Sequence, residues 1–346
     1  MKLDRTILFL SIILLTASCA DRDRFVVFTG YAQGGTYLVK ANLRGVSARP
    51  REIAAGIDSL LTLVDTTVSG YNKSSILSRF NAGETVVPND LFCDIFSYCS
   101  DIYDETSGCV DVASGPLFDI WGFGFKTDSL PSDSLVRETL ATCGMPRLGR
   151  SINAGVPVVS SALVTDGTAS APVLNFNAVA QGYTCDLVAE YLKGLGVTDM
   201  MVDIGEIFCC GHNPGGEGWT IGVDRPVDGN ERPGEDLDGI WQSGGSPEGI
   251  VTSGNYRKFY VRDGRKYAHT IDPRTGYPVT HSLLSATVVA PTAAAADAYA
   301  TYCMVIGLDE AKSFIGSRSD LEGYFIYDEG GEMKEWASAG FTLKEF

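Results

Sequence analysis

The stretch SATVVAPTAAAADAYATYCMVI, residues 285–306, joins a β-rich run to an alanine-rich run. Ser285 to Val289 has the composition of a buried strand, and Pro291 is typical of a helix start, so we predict a helix from Ala293 to Ile306. Asp297 and Thr301 are four residues apart and therefore lie one turn apart on one face of that helix. The stretch thus presents two side-chain oxygens next to each other close after a strand.

The rest of the chain mixes helices and strands without a regular strand-helix repeat, which favours the α+β class. Apolar residues at helical spacing predict three further helices, at Ile53 to Val64, Leu91 to Ile102, and Gln181 to Leu195 with Gly196 as its stop. The apolar face of the last helix is predicted to consist of Tyr183, Leu187, Tyr191 and Leu195. Strands are predicted at Phe25 to Phe28, Tyr37 to Ala41, Met200 to Ile204, Trp219 to Val223, Phe259 to Val261 and Tyr324 to Tyr327. No linker-like segment divides residues 25–346, so we predict a single mixed domain there.

The N-terminus has the pattern of a secretory signal. Lys2 and Arg5 precede an apolar run from Ile7 to Leu15 that is too short to span a bilayer and ends in small residues before Cys19. LTASC at 15–19 resembles the lipobox of bacterial lipoproteins, with Thr16 where an aliphatic residue is usual. We therefore predict a signal peptide at 1–18, a lipidated tether at 19–24 with the lipid on Cys19, and a site of action in the bacterial cell envelope, facing the periplasm. The alternative is an ordinary signal peptide in which Cys19 is incidental.

Charge and cysteine content exclude some classes of function. The net charge is −16, and no basic cluster offers a face for a phosphate backbone, so nucleic acid is not an expected partner. The nine cysteines show no spacing of the zinc-site kind, and those after Cys19 are interpreted mainly as small core residues. The adjacent Cys209 and Cys210 fit either a strained vicinal disulfide or two strand residues that face opposite ways.

Three segments could carry chemistry. The carboxylate of Asp297 and the hydroxyl of Thr301 suit a hard ion such as Mg²⁺, although they also fit a solvated aspartate and a threonine bonded to its own helix. The run YAHTIDPRTG at 267–276 brings His269 to a strand end near Arg274, which suits proton transfer near phosphates, although a lone histidine can equally be structural. The run NFNAVAQG at 175–182 places small residues before a helix whose free amides favour an anion.

In this order, these segments and several others resemble the ApbE family of FAD:protein FMN transferases over nearly the whole chain after Cys19. The matching residues are Gly35-Thr36, Ser69-Gly70-Tyr71, Ser78-Arg79-Phe80-Asn81, Asp111 with Ser114-Gly115-Pro116-Leu117 and Trp121-Gly122-Phe123, Ala178 to Gly182, Thr252-Ser253-Gly254-Asn255-Tyr256, His269 to Gly276, and Ala296-Asp297-Ala298 with Thr301.

The resemblance implies a magnesium-dependent transfer of FMN from FAD, the substrate, to a Ser or Thr of acceptor flavoproteins in membrane redox complexes, with release of AMP. It implies metal ligation by Asp297, Thr301 and the carbonyl of Ala178, and proton acceptance by His269. It further implies that Tyr71 packs on the flavin, and that the FAD cleft, between β-rich and helical parts, is lined by Gly34, Cys109, Val110, Asp111, Asn175, Gln181 and Ile271.

Departures from the family pattern concern the FAD contacts. Methionine is usual where Gly34 stands, and aspartate and lysine are common where Asn175 and Gln181 stand, so contacts to the adenosine half differ here. Two other functions use the same cleft. One is a pyrophosphatase that cleaves FAD to FMN and AMP with water as nucleophile. The other is a non-enzymatic FAD-binding lipoprotein, which needs Tyr71 but not the metal pair or His269.

Overall fold

The computed structural model describes residues 24–123, 130–153, 156–160, 173–227, 230, 234–255, 259–262 and 265–344. The helices in that part of the chain are α1 (Pro50–Val68), α2 (Ile76–Asn81), α3 (Asp90–Glu105), α4 (Gly115–Ile120), α5 (Asp133–Leu140), α6 (Ala180–Gly194), α7 (Ala293–Ile306) and α8 (Leu308–Gly316). The strands are β1 (Phe25–Ala32), β2 (Gly35–Asn42), β3 (Gly149–Asn153), β4 (Val156–Ser160), β5 (Met200–Asp203), β6 (Ile207–Cys210), β7 (Thr220–Asp224), β8 (Leu237–Gln242), β9 (Glu248–Gly254), β10 (Phe259–Arg262), β11 (Arg265–Ala268), β12 (Ile271–Asp272), β13 (Tyr277–Pro278), β14 (Leu283–Ala290), β15 (Glu322–Glu329), β16 (Glu332–Ala337) and β17 (Leu343–Lys344).

An antiparallel sheet organises the domain. Its strand order in the described residues is β1-β2-β5-β6-β9-β14-β15-β16, and every neighbouring pair is antiparallel. A smaller sheet has the order β17-β8-β7. Antiparallel strands with helices inserted irregularly between them confirm the predicted α+β class and the single domain.

The two faces of the main sheet have different covers. Val202 and Cys210 pack with the apolar residues of α1 and α6, whereas Met201 and Cys209 pack with Trp219 and other residues of the smaller sheet. Successive strand residues point to opposite faces, so adjacent positions reach different cores. Cys209 and Cys210 are both free thiols, which confirms the interpretation as strand residues and excludes the vicinal disulfide.

Two local predictions are corrected. The first two strands were predicted at Phe25 to Phe28 and Tyr37 to Ala41, but β1 extends to Ala32 and β2 begins at Gly35, because Gln33 and Gly34 take φ values of 50° and 85° and form a two-residue hairpin turn. On α6, Tyr183, Leu187 and Tyr191 are only half-buried.

The most buried face of α6 instead combines Leu192 with the smaller Cys185, Val188 and Ala189, all of which are 0% exposed. Small side chains let this helix approach its neighbours closely.

The membrane question concerns the first residues of the chain. Among the described residues, no helix combines the length and the apolar composition needed to cross a bilayer. The predicted signal peptide and Cys19 lie outside the described residues.

Candidate functional site

Helix α7 carries the predicted metal pair into the interior. It packs on α6, β9 and β14, and the hydroxyl of Thr292 caps its start by accepting a hydrogen bond from the amide of Ala295 at 3.1 Å. Alanines fill its first turns, so the backbone lies close to its neighbours. Asp297 is 4% exposed, and Thr301 is partly buried one turn further along.

The carboxylate of Asp297 has an unusual environment for a charged group. Its Oδ2 accepts a hydrogen bond from the amide of Gly182 in the first turn of α6 at 3.1 Å. Burial raises the pKa of Asp297 above its ordinary range, the Gly182 amide opposes this rise, and the nearby charge of Asp186 adds to it. No cationic side chain of the described residues pairs with this carboxylate, so its negative charge is open to a metal ion.

Asp186 was not identified from the sequence, yet it belongs to the same site. From α6, its Oδ1 and Oδ2 accept hydrogen bonds from the amides of Ala293 and Ala294 at 2.9 and 2.8 Å, which caps the start of α7. Burial raises the pKa of Asp186 to about 6, and the two amides oppose the rise. An acidic residue inside a mostly apolar helix is a possible signal, but its partners lie more than a hundred residues away.

The segment before α6 is fixed by backbone and amide contacts. Asn81 makes two hydrogen bonds to the backbone of Leu174. Its Oδ1 accepts from the Leu174 amide and its Nδ2 donates to the Leu174 carbonyl, each at 2.8 Å. The Asn175 amide donates to the carbonyl of Val112 at 2.7 Å, and its side-chain oxygen accepts from the Asn177 amide at 2.9 Å. These contacts set the position of Ala178, the third predicted ligand, at the entry to α6.

The residues around Asp297 fit a small hard cation. The hydroxyl of Tyr98 is buried without a hydrogen-bond partner among the described residues, and burial, followed by the nearby Tyr299, Asp186, Cys99 and Asp297, raises its pKa. The described part of the chain holds no cluster of three or more His, Cys, Asp or Glu side chains suited to a metal. An ion here would therefore rest on one carboxylate and neutral oxygens, which suits Mg²⁺ better than zinc.

His269 lies in the two-residue connection between β11 and β12. Its ring meets that of Phe123 edge-on, with 6.3 Å between centroids. The neighbouring Thr270 donates its hydroxyl proton to the side-chain oxygen of Asn255 at 2.7 Å. Ile271 is 2% exposed and packs with Trp121 and other apolar residues, so the backbone that carries His269 is anchored on both sides.

The turn after His269 meets the segment from Cys109 to Asp111. Arg274 is engaged by Asp272, to which its Nε and Nη2 donate hydrogen bonds, each at 2.9 Å. Burial raises the pKa of the Cys109 thiol, while the nearby Arg274 lowers it and Asp272 raises it, so Cys109 lies near this turn. The sequence did not anticipate that Arg274 is already paired.

Asp111 is used inside the protein. Its Oδ1 accepts from the Ala113 amide at 2.8 Å and its Oδ2 from the Met145 amide at 3.2 Å. Burial raises the pKa of Asp111 to about 6, and both amides oppose the rise. The side chain therefore holds its loop against the turn at Met145.

The hairpin turn at Gly34 is tied to α6. Gln33 donates from its Nε2 to the Thr184 hydroxyl at 2.6 Å. Gln181, one turn earlier in α6, donates from its Nε2 to the Ile204 carbonyl at 3.2 Å and packs on Gly205. The structure thus brings Gly34, Gln181, Ala178 and Asp297 to one end of α6.

Tyr71 is the residue predicted to pack on the flavin. It lies in the loop after α1. The hydroxyl of Ser69 stabilises this loop by accepting hydrogen bonds from the amides of Tyr71 and Asn72 at 3.3 and 3.1 Å. Its side chain is 76% exposed. Tyr71 therefore lies at the surface in a loop whose backbone is held by Ser69.

Two open surface pockets are lined by residues other than those of the predicted site. One of about 490 Å³ is lined by residues that include Lys40 and Trp219. Another of about 300 Å³ includes Phe25 and His212. Neither pocket is lined by a predicted site residue.

Comparison with known proteins identifies the relatives of this chain. A family model described as "ApbE family" matches residues 34–325. A curated FAD:protein FMN transferase of Haemophilus influenzae is 31% identical over 99% of both chains. Another, from Escherichia coli, is 32% identical over 87% of this chain and 84% of its own.

A solved structure agrees with these sequence matches. The flavin transferase ApbE from Vibrio cholerae superposes with a TM-score of 0.76 at 29% identity, over 92% of this chain and 98% of its own. These matches confirm the resemblance that the motifs carried.

Proposed function

The chain belongs to the ApbE family and is an FAD:protein FMN transferase, and we propose that it is magnesium-dependent and joins FMN by a phosphoester bond to a Ser or Thr of its acceptor. The observation that carries the finer proposal is the buried carboxylate of Asp297, held by the first turn of α6 and without a cationic partner among the described residues. Such a charge needs a counter-ion, and pyrophosphate needs the same one.

The metal ligands would come from two helical segments. Asp297 would supply the charged oxygen and Thr301 a neutral one from α7, with the carbonyl of Ala178 from the entry to α6. When bound, Mg²⁺ would offset the negative charge of the FAD pyrophosphate and so reduce the repulsion of an incoming nucleophile.

His269 would accept the proton of the attacking hydroxyl. A bond forms between the acceptor oxygen and the FMN-side phosphorus, the bond from that phosphorus to the AMP oxygen breaks, AMP leaves, and the proton moves to the imidazole. A proton transfer of this kind typically contributes about 10²- to 10⁴-fold to the rate. Support comes from the anchored backbone on both sides of His269 and from its ring contact with Phe123.

FAD would be held by backbone and by an aromatic ring. We assign the cleft lining to Gly34, Asn175, Gln181 and Ile271 with the Cys109 to Asp111 segment, and flavin stacking to Tyr71. The hydrogen bond from Gln33 to α6 supports a cleft at that end of the helix. Because the amide of Gln181 already donates one hydrogen bond to Ile204, it would contact the adenosine half through its remaining N–H or its oxygen.

The place of action is also a proposal. We propose a lipid anchor on Cys19, attachment to a membrane of the bacterial cell envelope, and a domain that faces the periplasm. The support is the N-terminal pattern of the sequence. Anchoring would bring the enzyme close to acceptor flavoproteins in membrane redox complexes.

One experiment tests the activity and separates it from its rivals. The purified protein is incubated with FAD, Mg²⁺ and a candidate acceptor flavoprotein, and the products are followed by mass. We expect an FMN adduct on the acceptor and one AMP per adduct. Free FMN and AMP without adduct would indicate a pyrophosphatase, and intact bound FAD would indicate a storage protein.

A further inference from the structure

We propose that Asp186 is a positioning residue for the metal site, which fixes α7 against α6 so that ligands from both helical segments meet at one point. The inference rests on the proposed metal site and deepens it. Asp186 is not among the ligands, and nothing in the motif pattern assigns it a role.

The contact of Asp186 with α7 is bidentate. Each carboxylate oxygen accepts a hydrogen bond from a different amide, that of Ala293 at 2.9 Å or that of Ala294 at 2.8 Å. These amides belong to the helix start, where donors have no partner inside the helix and where a negative charge is favoured. Two bonds from a side chain with short reach fix both the distance and the rotation of α7 relative to α6.

A second contact joins a carboxylate of α7 to a backbone amide of α6. The carboxylate of Asp297 accepts a hydrogen bond from the amide of Gly182, in the first turn of α6, at 3.1 Å. Gly182 lies four residues before Asp186, and Ala293 lies four residues before Asp297. Each helix therefore offers a carboxylate one turn after the backbone position that the other helix binds, so the two helix starts hold each other reciprocally.

The helices touch at backbone level between these contacts. A Cβ placed on Gly182 would lie 2.3 Å from the carbonyl oxygen of Ala293 and 2.9 Å from the amide nitrogen of Ala294. No side chain can act as a spacer there. The relative position of the helices therefore depends on the paired hydrogen bonds rather than on adaptable packing.

This geometry matters for the ion because the proposed ligands are split between the two segments. Ala178 precedes α6, whereas Asp297 and Thr301 belong to α7. Mg²⁺ requires nearly ideal octahedral geometry at about 2.0–2.1 Å. A shift of α7 that core packing would tolerate would thus separate the ligands, and loss of such supporting contacts typically weakens metal binding about 10- to 100-fold.

The test measures ion binding directly, without FAD. Mn²⁺ is titrated into the purified protein and free Mn²⁺ is followed by electron paramagnetic resonance. We compare the parent with Asp186→Ala, Asp186→Asn and the control Glu190→Ala, which removes an exposed acid one turn further along α6 that pairs with Lys193 at 2.8 Å. Asp186→Ala should weaken binding at least about tenfold. Asp186→Asn should weaken it less, because one oxygen still accepts an amide, and Glu190→Ala should leave it unchanged.

Activity supplies a second readout. In Asp186→Asn the Mg²⁺ concentration for half-maximal FMN transfer should rise, while the rate at saturating Mg²⁺ stays near that of the parent. If Asp186→Ala fails to fold, as judged by circular dichroism, Asp186→Asn decides the question.

Unchanged Mn²⁺ affinity in a folded Asp186 variant, with only a lower Tm, would show a purely structural cap and overturn the inference while the proposed function stands. A parent that binds no Mn²⁺ would instead overturn the metal site itself and this inference with it.

Discussion

Replacing Asp297 by asparagine should stabilise the protein in the absence of magnesium and abolish its stabilisation by magnesium. Asparagine keeps the size of the side chain and an oxygen that can accept the Gly182 amide. What it removes is a negative charge on a residue that is 4% exposed. The perturbation therefore acts on the charge far more than on packing.

The sign follows from proton linkage. Burial raises the pKa of Asp297 in the folded state above its ordinary value of 3.8. The folded protein thus binds this proton more tightly than the unfolded chain does. The stability it contributes is complete below the unfolded pKa and is lost as the pH rises through the folded pKa. At pH 8 the carboxylate is ionised in both states, and its burial opposes folding.

The magnitude can be bounded from the contacts. An incompletely satisfied buried polar group costs about 1–3 kcal/mol. The new amide group offsets part of the gain, so we expect a stabilisation of about 1–2 kcal/mol at pH 8 and a Tm higher by about 2–6 °C. Magnesium at a hundred times its Kd should stabilise the parent by about 2.7 kcal/mol and the variant not at all. The order of stability should therefore reverse when magnesium is added.

The assay is thermal unfolding at pH 8 in chelator and again in excess Mg²⁺, together with FMN transfer to an acceptor. Asp309→Asn serves as the control, because Asp309 is an exposed acid on the neighbouring α8. Its stability should be lower than that of the parent by the same small amount in both buffers, about 0.3–1 kcal/mol, because the loss of a negative charge from the first turn of α8 does not depend on Mg²⁺. The reasoning is refuted if Asp297→Asn responds to Mg²⁺ like the parent, or if it transfers FMN at the parental rate.

Four further outcomes are expected. Thr301→Ala, which removes a neutral ligand, should retain partial transfer activity that increases with added Mg²⁺. Activity that does not depend on the Mg²⁺ concentration would contradict the role of Thr301 as a ligand. His269→Ala should bind FAD normally but transfer FMN about 10²- to 10⁴-fold more slowly in single-turnover kinetics, and a parental rate would exclude it as the proton acceptor. Tyr71→Ala should weaken FAD binding by about 0.5–1.5 kcal/mol in a flavin fluorescence titration while Tyr71→Phe should not, and equal affinities for Tyr71→Ala and the parent would argue against stacking. Cys19→Ser should leave the protein soluble or uncleaved, whereas a fully cleaved variant that still fractionates with membranes would contradict the anchor.

Much of the fold could be predicted because local signals agree with the tertiary structure. Helix α7 has the predicted bounds, Ala293 to Ile306, since Thr292 caps its start and Gly307 ends it with a φ of 86°. The ends of the first two strands were misplaced by a few residues. Their turn depends on the left-handed conformation of Gln33, and a glutamine does not by itself indicate that conformation. The bulky residues of α6 indicated the wrong inner face, because small residues fill the closest contacts.

The sequence by itself determined the family and the residue types available for chemistry: a carboxylate and a hydroxyl one turn apart in α7, a histidine at a strand end, and small residues before α6. These signals are local, since each depends on spacing within one segment. Only the tertiary structure decided how the segments serve one another. The carboxylate of Asp111 binds the amide of Met145, which is 34 residues away, and Asp186 binds the start of α7. The physical reason is that a buried charge finds its partners among backbone amides that are distant in sequence, and backbone amides are the same for every residue type except proline, so the sequence carries no mark of which ones will be chosen.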